Sequence, residues 1–82
     1  MTIDDSIRKV LKDHANLSVD ALTVAEDADL YKNGMTSQTG VNVMLALEGA
    51  FDFEFPDTML NRSVFQTIAN IRAAVQKLTE KN

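Results

Sequence analysis

The amino-acid sequence predicts an all-α protein, a small bundle of three main helices plus a short helix that comes third in the chain, with a long first loop. Two observations favour this fold class. Glycine and proline, which interrupt helices, occur three times and once in 82 residues. Apolar residues recur at helical spacing on three segments separated by polar connections. A chain of this length is expected to form a single domain, residues 1–82.

The first helix is predicted over residues 2–15, followed by the long loop over residues 16–33. Thr2 is a suitable N-cap, and Asp4 and Asp5 lie in the first turn, where the helix dipole favours anions. Four apolar residues share one face of this helix: Ile3, Ile7, Val10 and Leu11. The apolar residues of the loop have no helical period, and we expect them to pack over the core.

The second helix is predicted over residues 37–50. It carries two adjacent apolar stripes, one of Val43, Ala46, Leu47 and Ala50 and the other of Val41, Met44 and Leu45. Together they are wider than the single buried face of a surface helix. We therefore expect part of this apolar surface to remain exposed for a partner.

The segment "FDFEFPD", residues 51–57, alternates apolar and acidic residues, which by period alone indicates a strand. A lone strand has no pairing partner in this chain, so a strand is rejected. The three phenylalanines are expected to insert into the helical core instead. Pro56 suits the start of a short helix, predicted over residues 57–60.

The last helix is predicted over residues 64–78. Ser63, with Gln66 three residues later, has the pattern of a capping box. The expected core stripe consists of Phe65, Ile68, Ile71, Ala74, Val75 and Leu78. Lys77 and Lys81 lie toward the C-terminal end, where the helix dipole favours cations.

Composition and charge exclude several classes of protein. The chain has no cysteine and one histidine, His14, which is expected to be exposed or to lie at the end of a helix. Twelve acidic against eight basic residues give a net charge of −4, which argues against nucleic acid and suits basic partner surfaces. No apolar run approaches a membrane span and no signal peptide is evident, so a cytoplasmic location is expected.

The stretch "GMTSQTGVNVMLALE", residues 34–48, places small hydroxyl and amide residues at the start of an apolar helix. On the helix pattern alone, Thr36 or Ser37 is an ordinary N-cap, and this interpretation is favoured. The same residues resemble the acyl carrier protein family, whose signature is a glycine, two residues and a serine at the start of the second helix. Here that motif is Gly34-Met35-Thr36-Ser37, and residues 41–57 also resemble the family's second helix and its exit.

The resemblance covers essentially the whole chain and implies a carrier without catalytic activity. It implies that Ser37 receives 4′-phosphopantetheine, whose thiol would hold acyl or aminoacyl cargo as a thioester, while Thr36 caps the helix. A helix N-terminus suits the phosphodiester of that arm. The implied partners are a phosphopantetheinyl transferase, an acyl or amino acid ligase and downstream transferases, with the carrier itself a monomer that binds neither nucleic acid nor membrane.

The sequence departs from the family pattern near this serine. Thr36 replaces the usual Asp and Gln38 the usual Leu, and Thr39 and Asn42 are uncharged where many relatives are acidic or apolar. These changes weaken electrostatic steering toward basic partners and favour a dedicated aminoacyl carrier over a fatty-acid-synthesis carrier. Gly40 either allows a close approach of the arm or a partner, or is a tolerated loss of helix propensity.

Helical spacing places Val41 and Leu45 on the face of Ser37, and we expect them to form a docking patch with Glu48 at its rim. The alternative for Leu45 is a core position. The predicted docking residues are Thr36, Gln38, Val41, Asn42, Leu45 and Glu48. Two other classes of function remain open: an unmodified helical interaction module and, more weakly, an enzyme.

Overall fold

The computed structural model describes residues 2–79 of the chain. It contains three α-helices, α1 (Ile3–His14), α2 (Ser37–Phe51) and α3 (Ile68–Thr79), with a short 3₁₀ helix (Asp57–Met59) before α3. Residues 2–79 contain no strand. The all-α prediction is therefore confirmed, and the short helix that comes third in the chain is a single 3₁₀ turn, one residue shorter than predicted.

The core is formed by one face of each helix together with residues from the connections. The largest fully buried side chains are Ile7, Leu11, Leu30, Val43, Leu47, Ile68, Ile71 and Val75. Among the described residues no polar or charged residue is buried. Because the interior is entirely apolar, the fold depends on burial of the helix faces that the sequence pattern predicts.

Helix α1 begins with a reciprocal capping box. The Asp5 backbone N–H donates to Thr2 Oγ1 at 3.1 Å, and the Thr2 N–H donates to Asp5 Oδ2 at 3.3 Å. His14 lies exposed in the last turn. The predicted cap and the predicted place of the histidine are both confirmed.

The long first connection packs over the core, as predicted. Ala21, Leu30 and Met35 are buried within it. Arg8 of α1 fixes one of its turns by donating from Nη1 to the carbonyl oxygens of Ala21, at 3.2 Å, and Val24, at 2.7 Å. Carbonyl groups of the connection thus receive charge-assisted hydrogen bonds from α1.

A cluster around Arg72, which we call the Arg72 cluster, joins the connection to both terminal helices. The Arg72 guanidinium lies 2.9 Å from Asp4 of α1 and 2.8 Å from Glu26 of the connection. The Glu26 carbonyl also accepts the N–H of Ala69 at 3.0 Å. The hydrogen bond and charge of Arg72 lower the pKa of the Glu26 carboxyl below its ordinary value.

Of the three phenylalanines over residues 51–57, only Phe55 enters the core, whereas Phe51 and Phe53 are partly buried against it. Asp52, with a left-handed backbone (φ 55°), ends the helix. Phe55 is buried, and its ring meets those of Phe53 and Phe65 edge to face, at centroid distances of 4.7 and 5.1 Å. The rejection of a strand here is confirmed, because aromatic contacts replace strand pairing.

The predicted start of the last helix is wrong. Helix α3 begins at Ile68, and its first turn is capped by Thr67, whose Oγ1 accepts the Asn70 N–H at 3.0 Å. Residues 61–67 form turns because tertiary contacts hold them: Phe65 lies against Phe55, and Gln66 Nε2 donates to Asp29 Oδ2 at 2.9 Å. The capping box of Ser63 and Gln66 is therefore not formed.

Two further details of the predicted stripes differ. Ala50, assigned to the core stripe of α2, is exposed, because the helix ends one residue later and the chain turns away at Asp52. Leu78 is only partly buried. Lys77 lies in the last turn of α3 as predicted, whereas Lys81 lies outside the described residues.

Candidate functional site

The N-terminus of α2 has its own capping box, built from two threonines. The Thr39 N–H donates to Thr36 Oγ1 at 3.1 Å, and the Thr36 N–H donates to Thr39 Oγ1 at 2.8 Å. Thr36 is therefore the N-cap, and Ser37 is the first residue of the helix. The helix pattern alone left open whether Thr36 or Ser37 is the cap. In the structure the hydroxyl of Ser37 takes no part in the cap.

Ser37 is exposed and opens onto a groove of about 250 Å³. The groove lies between the first turns of α2 and the connection that precedes α3. Its lining residues are Tyr31, Ser37, Gly40, Val41, Met44, Leu60, Asn61, Arg62 and Phe65. Arg62 is the only charged residue among them.

An arginine stacked on a tyrosine forms part of this groove. The Arg62 guanidinium carbon lies 4.0 Å from the centroid of the Tyr31 ring, within cation–π range. Partial burial raises the pKa of the Tyr31 phenol above its ordinary value. The ring therefore remains neutral at physiological pH and keeps the face that attracts a cation.

Gly34 is required by the turn that leads into α2. Its φ is +113°, and a Cβ at this position would lie 3.1 Å from Ser18 N and 3.2 Å from Asn16 O. Any larger residue would collide with backbone atoms, which cannot move aside without a large cost in free energy. The glycine of the motif thus allows the long connection to pass close to the start of α2.

Gly40 is buried against Tyr31. A Cβ there would lie 3.5 Å from the Tyr31 hydroxyl, which is ordinary van der Waals contact. A side chain at this position would meet Tyr31 first, and the spacing leaves room for a methyl group.

The predicted docking residues lie on the outer side of α2. Thr36, Gln38 and Asn42 are exposed, and Val41 and Leu45 are 50% and 56% exposed, which rules out a core role for Leu45. Leu60, 45% exposed and across the groove from Val41, is an apolar residue that the sequence reasoning missed.

Glu48 has a role within the molecule. Its Oε2 accepts the backbone N–H of Phe55 at 2.8 Å and so fixes the exit from α2. Its place at the rim of a docking patch stays a prediction. The first turn of α2 contains no acidic residue, and residues 2–79 contain no cluster of His, Asp or Glu side chains that could hold a metal ion.

Sequence reasoning also missed Tyr31 and Arg62. They are 31 positions apart, and neither lies in a motif or a regular apolar pattern. Only packing of the long connection against the segment before α3 brings them together. The single local signal was the presence of an aromatic residue and a cation in the two connections that flank α2.

A family model described as "phosphopantetheine attachment site" matches residues 5–77 of the chain. The chain belongs to this family. Its members carry covalently attached 4′-phosphopantetheine and act as carriers rather than enzymes, which confirms the family resemblance and the expected cofactor.

The sequence is 40% identical to an aminoacyl carrier protein of Agrobacterium fabrum over 75 residues, which cover 92% of this chain and 90% of that protein. Among solved structures, a similar chain occurs in the crystal structure of an engineered Bradyrhizobium japonicum glycine:[carrier protein] ligase complexed with a carrier protein from Agrobacterium tumefaciens and ATP. That match has a TM-score of 0.90 at 39% identity and covers 94% of this chain and all of the matched chain.

A holo acyl carrier protein from Nitrosomonas europaea is also similar in structure. The TM-score is 0.81 at 29% identity, over 94% of this chain and 95% of that one. The bundle with one long first connection is thus the acyl carrier protein fold.

The residues at the start of α2 suit the arm that the family carries. An exposed hydroxyl lies in the first helical turn, where unpaired backbone N–H groups and the helix dipole favour a phosphodiester. The adjoining groove offers apolar side chains and one cation. Within residues 2–79, no helix is long and apolar enough to cross a membrane.

Proposed function

We propose that the chain is an aminoacyl carrier whose 4′-phosphopantetheine arm is attached to Ser37. The observation that carries the attachment site is the division of roles at the start of α2. Thr36 and Thr39 complete the cap between them, so Ser37 presents an exposed hydroxyl on the first turn beside a groove. The arm supplies the thiol, which a chain without cysteine needs in order to hold cargo as a thioester.

Amino acid cargo is supported by the named relatives. An aminoacyl carrier protein shares 40% of its residues with this chain, and a carrier of similar structure was crystallised with a glycine:[carrier protein] ligase. The uncharged start of α2 also favours a dedicated partner over enzymes that attract carriers by charge. We therefore expect loading by a separate amino acid ligase and unloading by a downstream transferase.

The proposed docking surface for these partners is the outer side of α2, with Thr36, Gln38, Val41, Asn42, Leu45 and Glu48. Exposed apolar side chains at its centre would provide the contact area, and polar groups would surround them. The carrier is proposed to act as a monomer in the cytoplasm, where it would first meet its phosphopantetheinyl transferase.

Intact mass measurement tests the attachment site. The chain is incubated with coenzyme A and a broad-specificity phosphopantetheinyl transferase, and we expect the mass of one phosphopantetheine to be gained. Ser37→Ala should gain none, whereas Ser63→Ala, at an exposed serine outside the groove, should be modified like the wild type. Equal modification of Ser37→Ala would refute the site, and an unmodified wild type would favour the interaction module.

Loading of the holo protein tests the cargo. Holo protein is incubated with an amino acid ligase, ATP and a mixture of amino acids, and in parallel with an acyl ligase and a mixture of carboxylic acids. We expect an aminoacyl mass adduct that neutral hydroxylamine removes, as it does a thioester. Loading by the acyl ligase alone would contradict the aminoacyl assignment and leave the carrier role intact.

A further inference from the structure

We propose that Arg62, held in place by Tyr31, binds the phosphodiester of the arm attached to Ser37. This inference rests on the proposed attachment site. It concerns a residue that lies 25 positions after Ser37, outside α2 and outside every motif of the sequence. Arg62 would be a positioning residue for the arm, acting through its charge and its hydrogen-bond donors.

Arg62 lies in the same part of the molecule as the proposed attachment residue. Ser37 and Arg62 line the same groove, one from the first turn of α2 and the other from the segment before α3. The groove has a volume of about 250 Å³, and both residues belong to its lining. The attachment hydroxyl and the guanidinium thus face one space.

The groove lining contains a positive charge, Arg62, and no negative one. No carboxylate lines the groove, and the first turn of α2 has no acidic residue. Asp4 and Glu26 pair with Arg72 and not with Arg62. No carboxylate lies within ion-pairing distance of Arg62 among residues 2–79, so the phosphodiester would supply the anion that its surroundings lack.

The ring of Tyr31 orients the side chain of Arg62. Its guanidinium carbon lies 4.0 Å from the centre of the Tyr31 ring. The backbone at Tyr31 is fixed, because its N–H donates to Asp29 Oδ1 at 3.0 Å, and the tyrosine hydroxyl lies beside Gly40. A side chain ordered in advance loses less conformational entropy when it binds, and a planar guanidinium matches two phosphate oxygens.

The consequence is an arm whose root is held at a defined place beside α2. The first-turn N–H groups of α2 would contact the phosphodiester from one side and Arg62 from the other. Val41 and Leu60, which line the same groove and are about half exposed, would offer apolar contact to the rest of the arm.

Nuclear magnetic resonance of the apo and holo proteins tests this contact. The probes are the Nε–Hε signal of Arg62 and the ³¹P signal of the arm, with a short modified peptide as the reference for an unpaired phosphodiester. In wild type, modification should move the Arg62 signal. In holo Arg62→Gln, the ratio of groove-bound to free phosphodiester should fall about two- to fivefold, the range for loss of an exposed ion pair, and the ³¹P signal should move toward that of the peptide.

Lys32→Gln provides the matched control, because it removes one exposed positive charge next to Tyr31 without altering the lining of the groove. Its ³¹P signal should equal that of the wild type. Tyr31→Leu should move the ³¹P signal in the direction of Arg62→Gln, and Arg62→Lys should give a value closer to the wild type. Added salt should reduce the difference between wild type and Arg62→Gln.

The outcomes separate this inference from the attachment site. If intact mass shows no phosphopantetheine on Ser37, the proposed function fails first. If Ser37 is modified but the Arg62 signal does not move, or Arg62→Gln and Lys32→Gln give the same ³¹P signal as the wild type, the role of Arg62 is refuted and the carrier function stands. Unchanged amide spectra of the apo variants would show that each substitution leaves the fold intact.

Discussion

Two sides of the molecule differ in the interactions that their surface groups make. The first side is formed by α1, α3 and the long connection, and the second is the α2 end. On the first side, Arg8 and Arg72 donate to carbonyl and carboxylate oxygens of neighbouring elements. At the α2 end, the hydroxyl of Ser37 is exposed, and apolar side chains such as Leu45 and Leu60 remain about half uncovered.

This difference indicates where stability and function are located. Groups that interact within the chain hold the connection on the core, and exposed groups near Ser37 are available to the arm and to partner proteins. Contiguous exposed apolar side chains on a small protein commonly mark an interaction site. Substitutions on the two sides should therefore change different measurements.

The largest effect on stability is expected for Leu47→Ala, whose side chain is fully buried on the inner face of α2. The substitution leaves a cavity in the core and should lower the free energy of unfolding by about 2–5 kcal/mol. Chemical denaturation followed by circular dichroism measures this change.

Leu45→Ala is the matched control on the outer face of the same helix. It should change stability by less than about 0.5 kcal/mol, since the side chain is exposed. It should instead slow loading by the ligase about fivefold, as expected when an interface contact is lost. Equal stability losses for the two variants would contradict the division between the faces of α2.

A smaller loss is expected for Arg8→Met, which keeps the apolar stem but removes the donors to the Ala21 and Val24 carbonyls. Losing hydrogen bonds from a charged group should lower the free energy of unfolding by about 1.5–3 kcal/mol. Lys9→Met, at the neighbouring exposed position, should change it by less than about 0.5 kcal/mol. Similar values for both variants would show that the contacts of Arg8 do not hold the connection.

The smallest change in stability is expected on acidification, through two carboxylates on the side formed by α1, α3 and the long connection. Hydrogen bonds from Arg72 and Gln66 hold the pKa values of Glu26 and Asp29 below their ordinary values of 4.5 and 3.8. Because the folded pKa values are the lower ones, their contribution to stability is fully present above those ordinary values and is lost as the pH falls through the folded values. Solvent screening at these solvent-accessible carboxylates keeps the effect small.

Denaturation midpoints measured between neutral pH and pH values below 4.5 check this expectation. Glu26→Gln should be less stable than the wild type at neutral pH and should show a shallower decline on acidification, because one titrating carboxylate is gone. Parallel pH profiles for the two proteins would exclude Glu26 as a source of the acid sensitivity.

Much of the fold followed from local patterns. The limits of α1 and the start of α2 were predicted because capping and helical period are properties of consecutive residues. The rejection of a strand over residues 51–57 also followed from the sequence, since nothing in the chain could pair with it.

The start of α3 could not be predicted in the same way. Ser63 and Gln66 have the residue types of a capping box, but Gln66 bonds to Asp29, 37 positions away, and Phe65 packs on Phe55. Nonlocal contacts of this kind outweigh a local capping preference of about 1 kcal/mol. The contact of Arg62 with Tyr31 was missed for the same reason.

The sequence by itself determined the all-α class, the apolar helix faces, and the motif on which the proposal of Ser37 as the attachment residue rests. These features depend on residue types at short spacing, which a sequence states directly. Only the tertiary structure decided that Leu45 is exposed and that Arg62 lines the groove beside Ser37. These features depend on contacts between segments that are far apart in the chain. Such contacts decide which of several locally allowed arrangements has the lowest free energy.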